Sequence, residues 1–157
     1  MTEEIKMKKL PLLILAGSLL GVYLYAKKNG VKQVPAPPKS TGKSRIFQTV
    51  YTVPEFQAVL SSPIGLKGNL FTGFARLGDE NSNEVANSLW KAVDQVDDSE
   101  VGVVIVDISE RNMELVNRYV IDTVPMIRVL RKGLFEGNEA WRGGEDIEKW
   151  VESVLKK

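Results

Sequence analysis

Residues 101–107 read Val-Gly-Val-Val-Ile-Val-Asp, an apolar run of strand length with no polar break before its last position. Such continuity predicts a central parallel strand covered on both faces, because a half-exposed strand would alternate. Residues 45–51 do alternate and are rich in β-branched side chains, which predicts another strand. Residues 69–75 form a second largely apolar run, buried on both faces. Residues 124–131 and 134–141 read as two strands joined by a turn at Lys132-Gly133, the first of them opened by Pro125.

Helical periodicity fills the intervals. Thr52 is placed to cap a helix with Pro54 just inside and Glu55 at the third position, ending near Leu60. Residues 63–68 form a turn-rich link. Ser82 or Asn83 is expected to cap a longer helix reaching about Val96, with Val85, Ala86, Leu89, Trp90 and Val93 on one face. A further helix is expected over residues 110–119. A last one, over 145–155, follows Gly143-Gly144 and turns Ile147, Trp150, Val151 and Val154 inward. The order β-α-β-α-β-α-β-β-α specifies an α/β domain over residues 45–157. Trp90, Trp141 and Trp150 suit a small core, and Trp141 on the last strand is the best candidate for an exposed interface anchor.

The first 44 residues have a different pattern. Residues 10–26, LPLLILAGSLLGVYLYA, carry no charge. As a helix they span about 25 Å, just under a hydrocarbon core of about 30 Å. Tyr23 and Tyr25 suit the headgroup level, and Lys8, Lys9, Lys27 and Lys28 can snorkel at both ends. The expectation is a short tail over residues 1–9, a single transmembrane helix over 10–26 and a Pro/Lys-rich linker over 27–44. Tyr25-Ala26-Lys27 is a poor cleavage site for a secretory signal, and a lipoprotein signal needs a cysteine. Gly17 and Gly21 are spaced for close helix–helix contact, and self-association there stands beside incidental glycine as a reading. Flanking lysines leave both orientations open, with the folded domain on either side of a membrane. Thr41-Gly42-Lys43-Ser44 resembles the end of a phosphate-binding loop. The earlier glycine is replaced by Pro37 and no buried strand precedes it, so that reading fails.

Charge sharpens this division. Residues 1–45 hold nine Lys/Arg and two acids, and residues 46–157 hold twelve and eighteen, for nets of about +7 and −6. A basic collar beside an apolar segment suits a membrane surface, whereas an acidic body is repelled by nucleic acid. The chain contains no cysteine and no histidine. It therefore lacks thiolate nucleophiles, disulfides, iron–sulfur ligands and the usual general base near neutral pH. No metal site, cofactor or catalytic residue is expected. Asp79, Glu80 and Glu84 could hold a cation through oxygen, but acids at a helix start are explained by the helix dipole.

The element order, the Val-Asp end of residues 104–107, Leu115, Tyr119-Val120-Ile121, Val124-Pro125, the Arg131-Lys132-Gly133 hairpin and the Gly143-Gly144 pair together resemble the thioredoxin-like superfamily. The resemblance covers residues 45–157 and implies a thioredoxin-like fold, a central mixed sheet flanked by helices. It places Gly78 and Asn81 where the two redox cysteines stand and Thr72 where a buried acid assists them. It therefore implies a redox-inactive member. It also implies a cis bond before Pro125 and a partner-binding edge made by Val124, Pro125 and the loop Arg76, Leu77, Gly78, Asp79, Glu80 and Asn81. Pro125 serving only to shape the core is the plainer alternative. The expected function is a membrane-anchored, non-catalytic module that binds a protein or polypeptide, as a scaffold or chaperone. The alternative is a structural subunit of a membrane assembly of respiratory, secretion or virion type. A cofactor-dependent enzyme ranks third.

Overall fold

A computed structural model describes residues 45–108 and 112–157. The apolar run at its centre is strand β3 (Val101–Asp107), with every residue from Val101 to Val106 buried. It lies between β1 (Phe47–Val50) and β2 (Asn69–Ala75), parallel to both. β2 also pairs antiparallel with β4 (Met126–Arg131), which pairs antiparallel with β5 (Leu134–Trp141). The five-stranded sheet thus has the order β1-β3-β2-β4-β5.

Alternation along the strands divides the core between two faces. Phe71, Val103, Ile105 and Val129 face helices α3 (Glu80–Asp94) and α5 (Ile147–Leu155). Leu70, Phe74, Val104, Val106 and Leu130 face α1 (Val53–Leu60), α2 (Pro63–Lys67) and α4 (Met113–Arg118). Each face carries aromatic contacts, Phe71 on Trp150 in one layer and Phe56 on Phe74 and Tyr119 in the other.

The capping box at Thr52 forms as the sequence indicates. Thr52 Oγ1 accepts the Glu55 N–H, and Glu55 Oε2 accepts the Thr52 N–H. The link at residues 63–68 is a short helix rather than a turn. Ser62 Oγ accepts the Gly65 N–H, and Pro63 occupies the first turn, where a missing N–H costs nothing. Gly68 then passes so close to the Glu100 carbonyl that a Cβ would collide with it. Helix α3 begins at Glu80 with Asp79 as cap residue, before Ser82 and Asn83, whose side chains are committed elsewhere. Trp141 is not an exposed anchor. It is 9% exposed, and its Nε1 donates to the Glu145 carbonyl at 2.7 Å, closing the turn through Gly143-Gly144.

Among the described residues no helix is long and apolar enough to cross a membrane. The expected anchor over 10–26, its Gly17 and Gly21, and the linker over 27–44 lie outside the described residues.

Candidate functional site

The parallel strands β2 and β3 both end at one pole of the sheet, and the loop 76–79 crosses there between β2 and α3. Its backbone is held by three side chains. Arg76 N–H donates to Ser82 Oγ, Leu77 N–H to Asp107 Oδ1 and Gly78 N–H to Asn83 Oδ1, each at 3.1 Å. The Asp79 N–H adds a turn bond to the Arg76 carbonyl, also at 3.1 Å. Gly78 has φ +95°, a region that side chains with a Cβ avoid. Ser82 and Asn83 are buried on the inner side of α3, so the sequence signal read as a helix cap is a cap for the preceding loop instead.

Thr72 lies on the α1/α4 face of β2, paired across the ladders with Val104 and Arg128. It is fully buried, and its Oγ1 has no hydrogen-bond partner among the described residues. A hydroxyl there cannot ionise near neutral pH, and no carboxylate replaces it. The Asn83 Nδ2 is likewise buried and unpartnered among the described residues, although Oδ1 of the same amide is used.

The Val124–Pro125 peptide bond is cis. The β4 ladder begins at the Met126–Phe74 pair, so the Val124 backbone lies just outside it. Between this segment and the loop runs a groove of about 390 Å³. Ile108, Met113, Val116, Ile121 and Val124 give it an apolar lining, with Arg76, Asp79 and Asp122 contributing charge. Met113 is 51% exposed, unusual for so large an apolar side chain. Arg142 donates to both oxygens of Asp122, at 3.0 and 3.1 Å, and this hydrogen bond holds that carboxyl below its ordinary pKa. Nearby, Tyr51 has its phenol pKa raised, first by burial and then by the charges of Asp107 and Glu55.

Of the expected site residues, Arg76, Asp79 and Val124 converge on the groove. Leu77 turns away, packing on the α3/α5 core. Asn81 lines a different depression, between α3 and α5. Glu80 opens the helix, and Gly78 serves the turn. Sequence reasoning missed Ser82, Asn83 and Asp107 as loop supports and Met113, Val116 and Asp122 as groove lining. The first two were visible as small polar residues just before an apolar helical face. The others come together only in three dimensions.

Four strands running one way with β4 alone against them, helices on both faces and a cis proline opening β4 give the architecture a known form. The fold is that of thioredoxin. The solved structure of thioredoxin O2 from Arabidopsis thaliana in the oxidized state superimposes with a TM-score of 0.56 at 14% identity, covering 75% of this chain and 96% of that one. Schistosoma mansoni thioredoxin gives 0.56 at 17% identity, over 73% and 95%. Thioredoxin from Trypanosoma brucei brucei gives 0.53 at 15%, over 76% and 99%. A designed protein is similar as well, at 0.56 and 19% identity over 77% and 99%. No family model matches the sequence, and no curated protein matches it. The likeness is one of fold. With no cysteine anywhere in the chain, this thioredoxin-like fold holds no thiolate, the species that attacks a disulfide.

Proposed function

We propose that this protein is a membrane-tethered, non-catalytic thioredoxin-like module that binds an extended polypeptide along the groove beside Val124. The single observation carrying this reading is the groove itself, with its apolar lining, its charged margin and a backbone segment outside the sheet ladder along one side. Backbone of that kind can pair with an extended chain, while the lining accepts one or two apolar side chains. The loop 76–79 supports the reading in a second way. It is fixed by the side chains of Ser82, Asn83 and Asp107 and forms a standing wall of the groove, without needing a thiol pair to shape it. The tether rests on residues 10–26 and the lysines around them.

A photoreactive amino acid at Asp79 or Thr123, both lining the groove, tests this in the cells that make the protein. Covalent adducts to a polypeptide should form from these positions and be absent from Gln57, on the exposed side of α1. Adducts of equal yield from all three positions would instead indicate a subunit enclosed on many sides by a fixed assembly.

A further inference from the structure

The opposite pole of the sheet carries a second exposed apolar feature. Leu134 is 73% exposed and Leu66 is 54% exposed. The two come from separate elements, joined where the Lys132 N–H donates to the Gly68 carbonyl and the Gly133 N–H to the Gly65 carbonyl, each at 3.0 Å. Leu66 Cδ2 lies about 4.0 Å from where a Cβ on Gly133 would stand, so its side chain borders the turn that leads into Leu134. Lys67, next to Leu66 in the chain, and Lys132, two residues before Leu134, are exposed as well. The result is a leucine pair accompanied by two lysines.

The chain enters the domain at this same pole. The Ile46 carbonyl accepts the Val103 N–H, and the Arg45 guanidinium is bound to the carbonyls of Val93 and Val96 at the end of α3. Arg45 is therefore level with the start of β3, whose first residue, Val101, pairs with Asn69, next to Gly68. The basic, proline-containing residues 27–44 and the apolar residues 10–26 lie immediately upstream. We infer that the Leu66/Leu134 pole rests on an anionic lipid bilayer, with the leucines at the acyl boundary and Lys67 and Lys132 on headgroup phosphates. Leucine beside lysine is the pairing that suits this interface. A short tether holds the pole near the surface at high effective concentration, so two leucines suffice where a free domain would need a larger anchor. Asp98 and Glu100 lie on the β3 side of this pole, where the Glu100 carbonyl accepts the Asn69 N–H. The groove beside Val124, at the far pole, then points away from the membrane.

This inference rests on the membrane tether, and the test separates the two. The absence of cysteine allows a single introduced thiol to be labelled uniquely. Full-length chain carrying Leu66→Cys, Leu134→Cys or Asp79→Cys is spin-labelled and reconstituted in vesicles of phosphatidylcholine with phosphatidylglycerol. Vesicle flotation reports the tether. Relaxation by dissolved oxygen against a water-soluble nickel chelate reports the depth of each label. Labels at 66 and 134 should favour oxygen and the label at 79 nickel, with the preference at 66 and 134 weakened by Lys67→Glu/Lys132→Glu. Flotation with all three labels favouring nickel would overturn the inference and leave the tether intact. Failure to float would overturn both. Spin–spin broadening at 134 with no lipid contact would assign the pole to a second copy of the chain and overturn it as well.

Discussion

The amide of Leu77 donates to Asp107 Oδ1 at 3.1 Å, joining the loop after β2 to the end of β3 across thirty positions of sequence. This bond and its two neighbours make the loop a closed structural unit. The fold retains the crossing from β2 to α3, with polar side chains holding its backbone.

Asn83→Ala removes the acceptor for the Gly78 N–H. The expected cost is about 0.5–1.5 kcal/mol, the net value of one such bond, because the exposed side of the loop lets water replace part of it. Amide exchange at Gly78 should accelerate more than exchange in β3. Hydrogen-exchange mass spectrometry on the full chain reports both regions together.

Gly78→Ala separates backbone conformation from space. Among the described residues nothing lies within 4 Å of a Cβ built on Gly78, so the substitution meets no clash there. Its φ of +95° still predicts a loss of about 1–2 kcal/mol. The same conformation predicts that Gly78→Cys with Asn81→Cys yields a strained loop and a poor dithiol. The measurements are thermal unfolding for the first variant and the rate of reduction of a disulfide peptide for the second.

Thr72→Val replaces a buried hydroxyl, unpartnered among the described residues, by a methyl of similar volume. Denaturant unfolding should show stabilisation of about 1 kcal/mol. Thr72→Asp, placing an acid at the same point between Val104 and Arg128, should destabilise the protein at neutral pH.

Glu139 accepts from Lys157 at 2.7 Å and from Arg131 at 3.1 Å, and the Lys157 hydrogen bond is the larger cause of its lowered pKa. A carboxyl whose folded pKa lies below its unfolded value stabilises the fold above the unfolded pKa, and that contribution disappears as pH falls through the folded pKa. Melting temperature should therefore fall on acidification below the ordinary glutamate range, near pH 4.5, and fall less steeply in Glu139→Gln.

Much of the architecture was legible in the chain. Continuous apolarity marked β3, the Thr52–Glu55 spacing marked α1, and Lys132-Gly133 marked the hairpin. The short helix at Pro63–Lys67 was hidden because one proline and two glycines in the six positions 63–68 read equally well as a turn, with the Ser62 cap deciding the outcome. Trp141 was misplaced because strand position alone does not show that the Glu145 carbonyl folds back onto its indole. Of residues 76–81 only 76–79 form the loop, Glu80 and Asn81 opening the helix, and their side chains diverge. Arg76 and Asp79 face the groove, Leu77 faces the core, and Asn81 faces the helix pair, since a turn followed by a helix points successive side chains in different directions.

The proposed role of the groove beside Val124 is to bind extended polypeptide without thiol chemistry. The most direct measurement is amide chemical-shift mapping of the full chain in nanodiscs, titrated with extended peptides selected from a random library. Saturable shifts should concentrate at residues 76–82 and 121–125 and be abolished by Val124→Glu. Shifts centred on the α3–α5 depression, or binding unchanged in Val124→Glu, would contradict this role.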